Sequence, residues 1–319
     1  MSEMFNLKCI ECGTDFKADR KDARFHTDAC RKRYSRKSTT KTDSETEITI
    51  KRKIPVINDN TDMDRVMAEI NKKYGAGTAF YASDMPKIER LSTGIPVLDE
   101  KLGGGLPKRR IVELYGQPMA GKSLISLLTI AKAQSEGKKC VYFDCEGTFD
   151  LEWAKKLGVD TAKLSLVQNP VGEDIFEALF KYLEGKSDII VVDSVDAIVT
   201  RAEFEEDVDK AFMAIKARLM SKAMRMIIPK NKNTLIIFIN QLRSTMTMYG
   251  PKFTTPGGLA LKFYSSIRLE VKKIEDIHLD GKKTTEPIGQ IVGFKVTKNK
   301  TATPFQTGSF KFYYDGHIE

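Results

Sequence analysis

From residue 61 onward, short and nearly continuous apolar runs alternate with stretches whose apolar residues recur at helical spacing. Over 62–74, Met63, Val66, Met67 and Ile70 fall on one side of a helix. A short strand is expected at 78–81, past Gly75 and Gly77. Strands are then predicted at 111–115, 139–144, 189–193 and 235–239, with helices at 122–135, 174–183 and 208–228, and a strand-rich end beyond Ser266. Strands apolar on both faces and separated by helices indicate an α/β fold, a mostly parallel central sheet flanked by helices.

The first 60 residues follow another pattern. Residues 1–37 carry cysteine and histidine and end in the basic run Arg31-Lys32-Arg33-Tyr34-Ser35-Arg36-Lys37. Residues 38–60 are rich in Ser, Thr, Lys, Asp and Glu and read as a flexible linker. Residues 61–82 form the helix and strand just described, and 83–319 the main core. Cys9-x2-Cys12-x13-His26-x3-Cys30 has the spacing of a tetrahedral Zn2+ site. A segment this short buries too little to fold unaided, so bound zinc is the economical reading and unstructured thiols the alternative. The basic run is either a solvated tail or a contact for DNA or a partner, such as a single-strand-binding or loader protein. Cys140 and Cys145 belong to an apolar run and are expected to be buried; the odd total of five cysteines argues against a disulfide framework.

Composition narrows the classes. With 41% apolar and 30% charged residues, the chain of 319 residues is ordinary for a globular protein. It has no apolar run of about 18 residues and no secretory pattern at its start, so a cytoplasmic location and no membrane contact are expected. The net charge of +9 points towards polyanions, nucleic acid first.

The most specific chemistry is Gly116-Gln117-Pro118-Met119-Ala120-Gly121-Lys122-Ser123, a phosphate-binding loop placed directly after a predicted strand and opening a predicted helix. Backbone N–H groups there wrap the phosphates of ATP, Lys122 neutralises them and Ser123 ligates Mg2+. Asp193 closes the run 188–193, where a magnesium-holding carboxylate is expected; capping of a following helix is the alternative. Glu146 follows another strand, in position to activate water, and Asn240-Gln241 is expected just past a strand, near the γ-phosphate.

Beyond these, the sequence resembles the RecA family of recombinases from about residue 61 to 316. The likeness is carried by STGIPVLDEKLGGGLP (92–107), the phosphate loop, DCEGTFDLEWAKKLGVD (144–160), DIIVVDSVDAIV (188–199), ARLMSKAMR (217–225), LIIFINQLR (235–243), TTPGGLALKFYSSIRL (254–269) and VTKNKTATPF (296–305). The resemblance implies a DNA-dependent ATPase of the RecA fold that forms homo-oligomeric helical filaments on single-stranded DNA and exchanges strands with a duplex. It makes Glu146 the catalytic glutamate and Gln241 the amide coupling ATP to DNA. It places Asp150 and Trp153 at the adenine, with Trp153 in place of a tyrosine. Lys298 and Lys300 become the pair that reaches ATP on the neighbouring subunit, and 62–81 the segment that docks there. The DNA loops fall at about 203–214 and 242–259, with contacts at Met213, Arg218, Ser221, Arg225, Arg243, Met246, Gly257 and Gly258. Without the family, Arg218 and Arg225 read as a solvated helix face, Lys298 and Lys300 as surface charge, and Met213 as packing under its loop.

There are departures. Arg109 stands where a glycine is usual, Gly147 replaces a bulkier residue and Leu259 an asparagine. The chain ends about where the family's C-terminal domain begins, which suggests a phage or mobile-element origin. Two other functions stay open: a RadA-like repair ATPase, which would use four cysteines and a protease-like domain, and a recombination mediator that binds ATP without exchanging strands.

Overall fold

The computed structural model describes residues 5–18, 22–32, 61–205, 213–244, 253–279 and 286–319, and of Thr61, Met213 and Ser244 the backbone alone. The expected linker, residue 246 and the centres of both expected DNA loops lie outside these. The chain divides into two compact units, Met1–Asp84 and Met85–Glu319.

In the first unit, β1 (Phe5–Lys8) and β2 (Asp15–Ala18) form an antiparallel hairpin. Its turn carries Cys9 and Cys12 and is closed by Gly13 N donating to Cys9 O at 2.9 Å. A helical turn at 28–32 presents Cys30. Helix α1 (Thr61–Tyr74) forms as its periodicity predicts, with acids in its first turn and lysines in its last, both favourable to the helix dipole. Part of its apolar face is uncovered: Met63 is 57% and Val66 48% exposed, whereas Met67 and Ile70 are half-buried. The strand expected at 78–81 is absent. Asn71 takes both backbone groups of Ala79 instead, donating to its O at 2.8 Å and accepting from its N at 2.9 Å, so that residue has nothing left for a ladder.

The second unit opens with β3 (Arg90–Leu91), α2 (Pro96–Leu102) and β4 (Leu106–Pro107). Then come β5 (Ile111–Gly116), α3 (Lys122–Ser135), β6 (Cys140–Asp144), α4 (Leu151–Lys156), β7 (Leu164–Gln168), α5 (Gly172–Glu184) and β8 (Ile189–Asp193). They are followed by α6 (Arg201–Glu205), α7 (Met213–Lys230), β9 (Leu235–Gln241), β10 (Arg243–Ser244), β11 (Phe253–Thr254) and α8 (Ala260–Tyr264). Three long strands end the chain: β12 (Ile267–Ile277), β13 (Gly289–Asn299) and β14 (Thr307–Tyr313).

The 8-stranded sheet has the order β14-β13-β12-β5-β9-β8-β6-β7. From β12 to β7 every pair is parallel, and β13 and β14 are antiparallel additions. Alternation within the apolar strands explains both layers. Ile189 and Val191 pack with Leu124, Ile125 and Leu128 of α3, whereas Ile190 and Val192 pack with Ile175 and Leu179 of α5 and Met220 and Met224 of α7. Each such side chain contributes about 1.5–3 kcal/mol by leaving water.

Two sequence expectations need correction. The helix predicted over 208–228 is described from Met213 as α7 and runs on to Lys230, two residues past its expected end, while 208–212 lie outside the described residues. Asn240 and Gln241 are not past β9 but are its last residues, because Tyr115 and Gly116 of β5 pair with them. Arg109 has φ 60°, the left-handed conformation that explains why a glycine suits that position.

Candidate functional site: nucleotide, DNA and metal groups

The carboxyl ends of the parallel strands converge on the loop between β5 and α3. Gly121 stands at φ 100°, and a Cβ there would lie 3.2 Å from Val292 Cγ1, so the turn that aims the N–H groups of α3 requires glycine. Lys122 is buried and donates to the loop's own carbonyls, Gln117 O at 2.7 Å and Gly116 O at 3.3 Å. Burial pulls its pKa down, while the charges of Asp193 and Glu146 push it up.

Ser123 Oγ and Tyr142 OH both donate to Asp193 Oδ2, each at 2.6 Å. Burial raises the Asp193 pKa, and these two hydroxyls oppose the rise. A hydroxyl and a carboxylate touching at a strand end form a hard oxygen pair that suits Mg2+ bound together with phosphate oxygens. On the neighbouring strand, Asp144 accepts from Thr148 N at 3.1 Å, Phe149 N at 3.0 Å and Gln168 Nε2 at 3.0 Å. This folds the loop that carries Glu146 back onto the sheet. Glu146 Oε1 accepts from Ser194 Oγ and, at 3.3 Å, from Gln241 Nε2. Among the described residues its Oε2 receives no hydrogen bond, which leaves one oxygen for a water proton. Asp150 caps α4 by accepting from Trp153 N at 2.7 Å, and the Trp153 ring packs edge-on against Phe312 with centroids 5.8 Å apart.

Next to Gln241 lies a largely buried polar cluster built on Glu113 and Asn240. Asn240 Nδ2 donates to Glu113 Oε1 and to Pro256 O, both at 3.1 Å, and Asn240 Oδ1 accepts from Gln241 N at 3.0 Å. Arg268 forms an ion pair with the fully buried Glu113 and stacks 4.5 Å from the Tyr115 ring centroid. The cluster ties the end of β9 to the stem of the second expected DNA loop, whose two sides pair as β10 and β11. Gly257 and Gly258 lie against Val195, Met220 and Ala217.

Arg218 and Arg225 are exposed on α7 and Ser221 is half-buried beside them. Arg243 is ion-paired with Asp196. Lys298 Nζ donates to Lys262 O at 2.7 Å and Phe263 O at 3.0 Å, holding the carbonyl end of α8, while Lys300 is exposed. Burial lowers the Lys298 pKa, with Lys300 and Arg268 adding repulsion.

In the first unit, the ligand atoms of Cys9, Cys12, His26 and Cys30 all lie within 4.8 Å of one another. Cys12 Sγ and His26 Nδ1 are 3.4 Å apart. Burial works to raise the Cys9 thiol, but hydrogen bonds from the His26 side chain and from neighbouring backbone groups bring it to about 5. Cys30 is pushed up: a bond from Thr27 lowers it, and burial with the adjoining Cys12 and Cys9 outweighs that bond. Thiols crowded this closely repel once ionised, and a dication with soft affinity fits them.

The sequence reading missed Tyr142, Ser194, Asn240's bonds and Glu113. Glu113 alone had a signal, an acid inside an apolar strand.

Comparison with known proteins decides the family. The RecA N-terminal domain matches residues 61–319. The chain belongs to the RecA family. It is 42% identical over 263 residues to Protein RecA of Frankia casuarinae, a match covering 80% of this chain and 75% of that protein. It is also 42% identical over 261 residues to Protein RecA of Campylobacter lari, covering 79% and 75%. The crystal structure of the RadB recombinase shares the fold, with a TM-score of 0.53 at 22% identity over 72% of this chain and 98% of that one. At the level of the family, the RecA match makes the second unit a P-loop ATPase core.

Proposed function

We propose that the chain is an ATP-driven homologous recombinase that polymerises on single-stranded DNA and pairs it with duplex. The contact between Gln241 and Glu146, 3.3 Å, carries the reading. Gln241 closes β9 and Arg243 opens β10 two residues later, so the group that senses the γ-phosphate and a DNA-facing cation are neighbours along the chain.

In this reading the N–H groups of 116–123 hold the phosphates and Lys122 leaves its loop carbonyls to meet them. Ser123 and Asp193 hold Mg2+, which when bound neutralises charge on the phosphate oxygens. Glu146 Oε2 takes the proton of the attacking water, and Gln241 reports the γ-phosphate to the strand that follows. Asp150 and Trp153 border the adenine. Lys298 and Lys300 act on ATP held by the adjacent subunit, and the open apolar face of α1 docks on a neighbour. Arg218, Arg225 and Arg243, with Ser221, bind phosphate without sequence preference. Met213 and Met246 enter between bases, and Gly257 and Gly258 let the backbone approach the strand. Zn2+ bound by Cys9, Cys12, His26 and Cys30 supplies the cross-link that its small unit lacks.

Circular single strands mixed with homologous linear duplex and ATP are expected to yield joint molecules, and electron microscopy to show helical filaments. DNA-stimulated hydrolysis without joint molecules, or with closed rings, would sink the proposal.

A further inference from the structure

Arg243 is not free to meet a phosphate. Its guanidinium is ion-paired with Asp196, whose side chain is 14% exposed against 62% for Arg243. Asp196 also has a second cation close by, because Lys216 Nζ donates to the Asp196 backbone O at 2.7 Å. Lys216 is half-buried on α7; burial lowers its pKa, and the charge of Asp196 opposes that fall. Asp196 therefore meets two cations, an exposed arginine on its carboxylate and a half-buried lysine on its backbone carbonyl.

Its place in the chain adds a second relation. The segment after β8 is linked to the stretch from Gln241 to Arg243 in two ways. Ser194 and Gln241 meet on Glu146, and Asp196 meets Arg243. Val195 N adds a backbone bond to Ile239 O at 2.9 Å. The nucleotide-facing tie and the DNA-facing tie thus join the same two segments.

We propose that Asp196 is a built-in competitor for DNA: its carboxylate occupies Arg243 until a backbone phosphate displaces it. The inference rests on the reading of Arg243 as a DNA-binding residue. A phosphate takes Arg243 by exchange, one anion for another, and the released carboxylate keeps Lys216 as its neighbour rather than being left without a counter-charge. The stretch after β9 then loses its tie to Asp196 while Gln241 keeps its own to Glu146, so DNA binding alters the restraint on the chain beside the group facing the nucleotide. Asp196 acts as a positioning residue, through Arg243, and touches neither ATP nor DNA.

The test is a double-mutant cycle on the full-length protein, measuring binding of labelled oligo-dT by anisotropy across a salt series. Asp196→Asn keeps the side-chain shape and removes the charge. It is expected to tighten binding about two- to fivefold and to steepen the log–log salt dependence by up to about one unit. The single-strand concentration that half-saturates ATP hydrolysis should fall with it. In an Arg243→Ala background the same substitution should change nothing. Equal tightening in both backgrounds would reduce Asp196 to a general surface charge and overturn the proposal, as would no tightening in either. If Arg243→Ala alone binds DNA like the parent, the fault lies with the DNA role of Arg243. Asp196→Glu, which retains the charge, should restore the parental salt slope, and a failure to do so also counts against the exchange.

Discussion

Tyr142 donates its hydroxyl to Asp193 Oδ2 across 2.6 Å, on the same oxygen that receives Ser123. Removing it as Tyr142→Phe leaves the ring's packing and takes one donor from a buried carboxylate, worth about 1.5–3 kcal/mol where the acceptor is charged. The half-saturating Mg2+ concentration for ATP hydrolysis is expected to rise severalfold while the fold persists. An unchanged Mg2+ titration would show that Ser123 alone orients Asp193.

Lys122 and Glu146 should separate binding from chemistry. Lys122→Ala removes the cation of the phosphate cradle and should abolish productive binding of a fluorescent ATP analogue. Glu146→Gln should bind the analogue and lose about 10²–10⁴ in turnover, the usual contribution of a positioned base. Parental turnover in Glu146→Gln would mean that another group takes the water proton.

The lysine pair gives a test of sharing between subunits. Lys298 already holds the carbonyl end of α8, so Lys298→Ala should lower stability as well as activity. Lys300→Ala touches no such cap and is the cleaner variant. Mixed with Glu146→Gln protein, it should recover some ATPase activity, because some interfaces will pair an intact Lys300 with an intact Glu146. A strictly additive loss would count against sites built across the interface.

Lys108 and Asp188 form an inner ion pair at 2.9 Å, with side chains 4% and 19% exposed. Asp188→Asn leaves the buried lysine only its longer bond to the half-exposed Glu89, at 3.3 Å, and should lower the melting temperature, by less than the about 3–5 kcal/mol of a buried charge left wholly unpaired. Lys108→Met should cost less, since Asp188 keeps its bond from Lys139 N at 3.0 Å. Burial tends to raise the Asp188 carboxyl, yet Lys139 N and Lys108 hold it below the usual range. The folded state therefore binds fewer protons than the unfolded one, so this contribution is present above about pH 4 and fades as pH falls through the folded pKa. A pH–stability slope in that window equal in the parent and Asp188→Asn would contradict it.

Zinc is open to direct assay. One ion per chain is expected, and Cys30→Ser should reduce it. Because the motor motifs begin after residue 60, deletion of 1–60 should leave DNA-stimulated hydrolysis largely intact. Substoichiometric metal with three freely reactive thiols would remove the zinc reading.

What the sequence made legible is what short-range pattern encodes. Helix α3 and strand β8 lie where their apolar spacing put them, and the phosphate loop stands between strand and helix as its mechanism demands. β7 was missed because, at the sheet's edge, its residues are only half-buried and its apolar pattern is weak. Asn240 and Gln241 were placed outside their strand, since polar residues extend β9 only through the neighbour β5. The site's carboxylates were legible as strand-end acids, but their partners were not. Ser194, Tyr142 and Asp196 acquire roles from residues distant in sequence, and a hydroxyl or lone carboxylate announces nothing until the fold supplies the other half.

Glu113 has a consequence for how such proteins change over generations. It is shut off from water and held by Arg268 and Asn240, so replacing Arg268 takes the counter-charge from a buried carboxylate at the centre of the sheet. A lineage that exchanges Glu113 or Arg268 alone crosses a less stable intermediate, which exchanging both together avoids. Positions 113 and 268 should therefore be inherited as a pair, even where the exposed arginines around them drift.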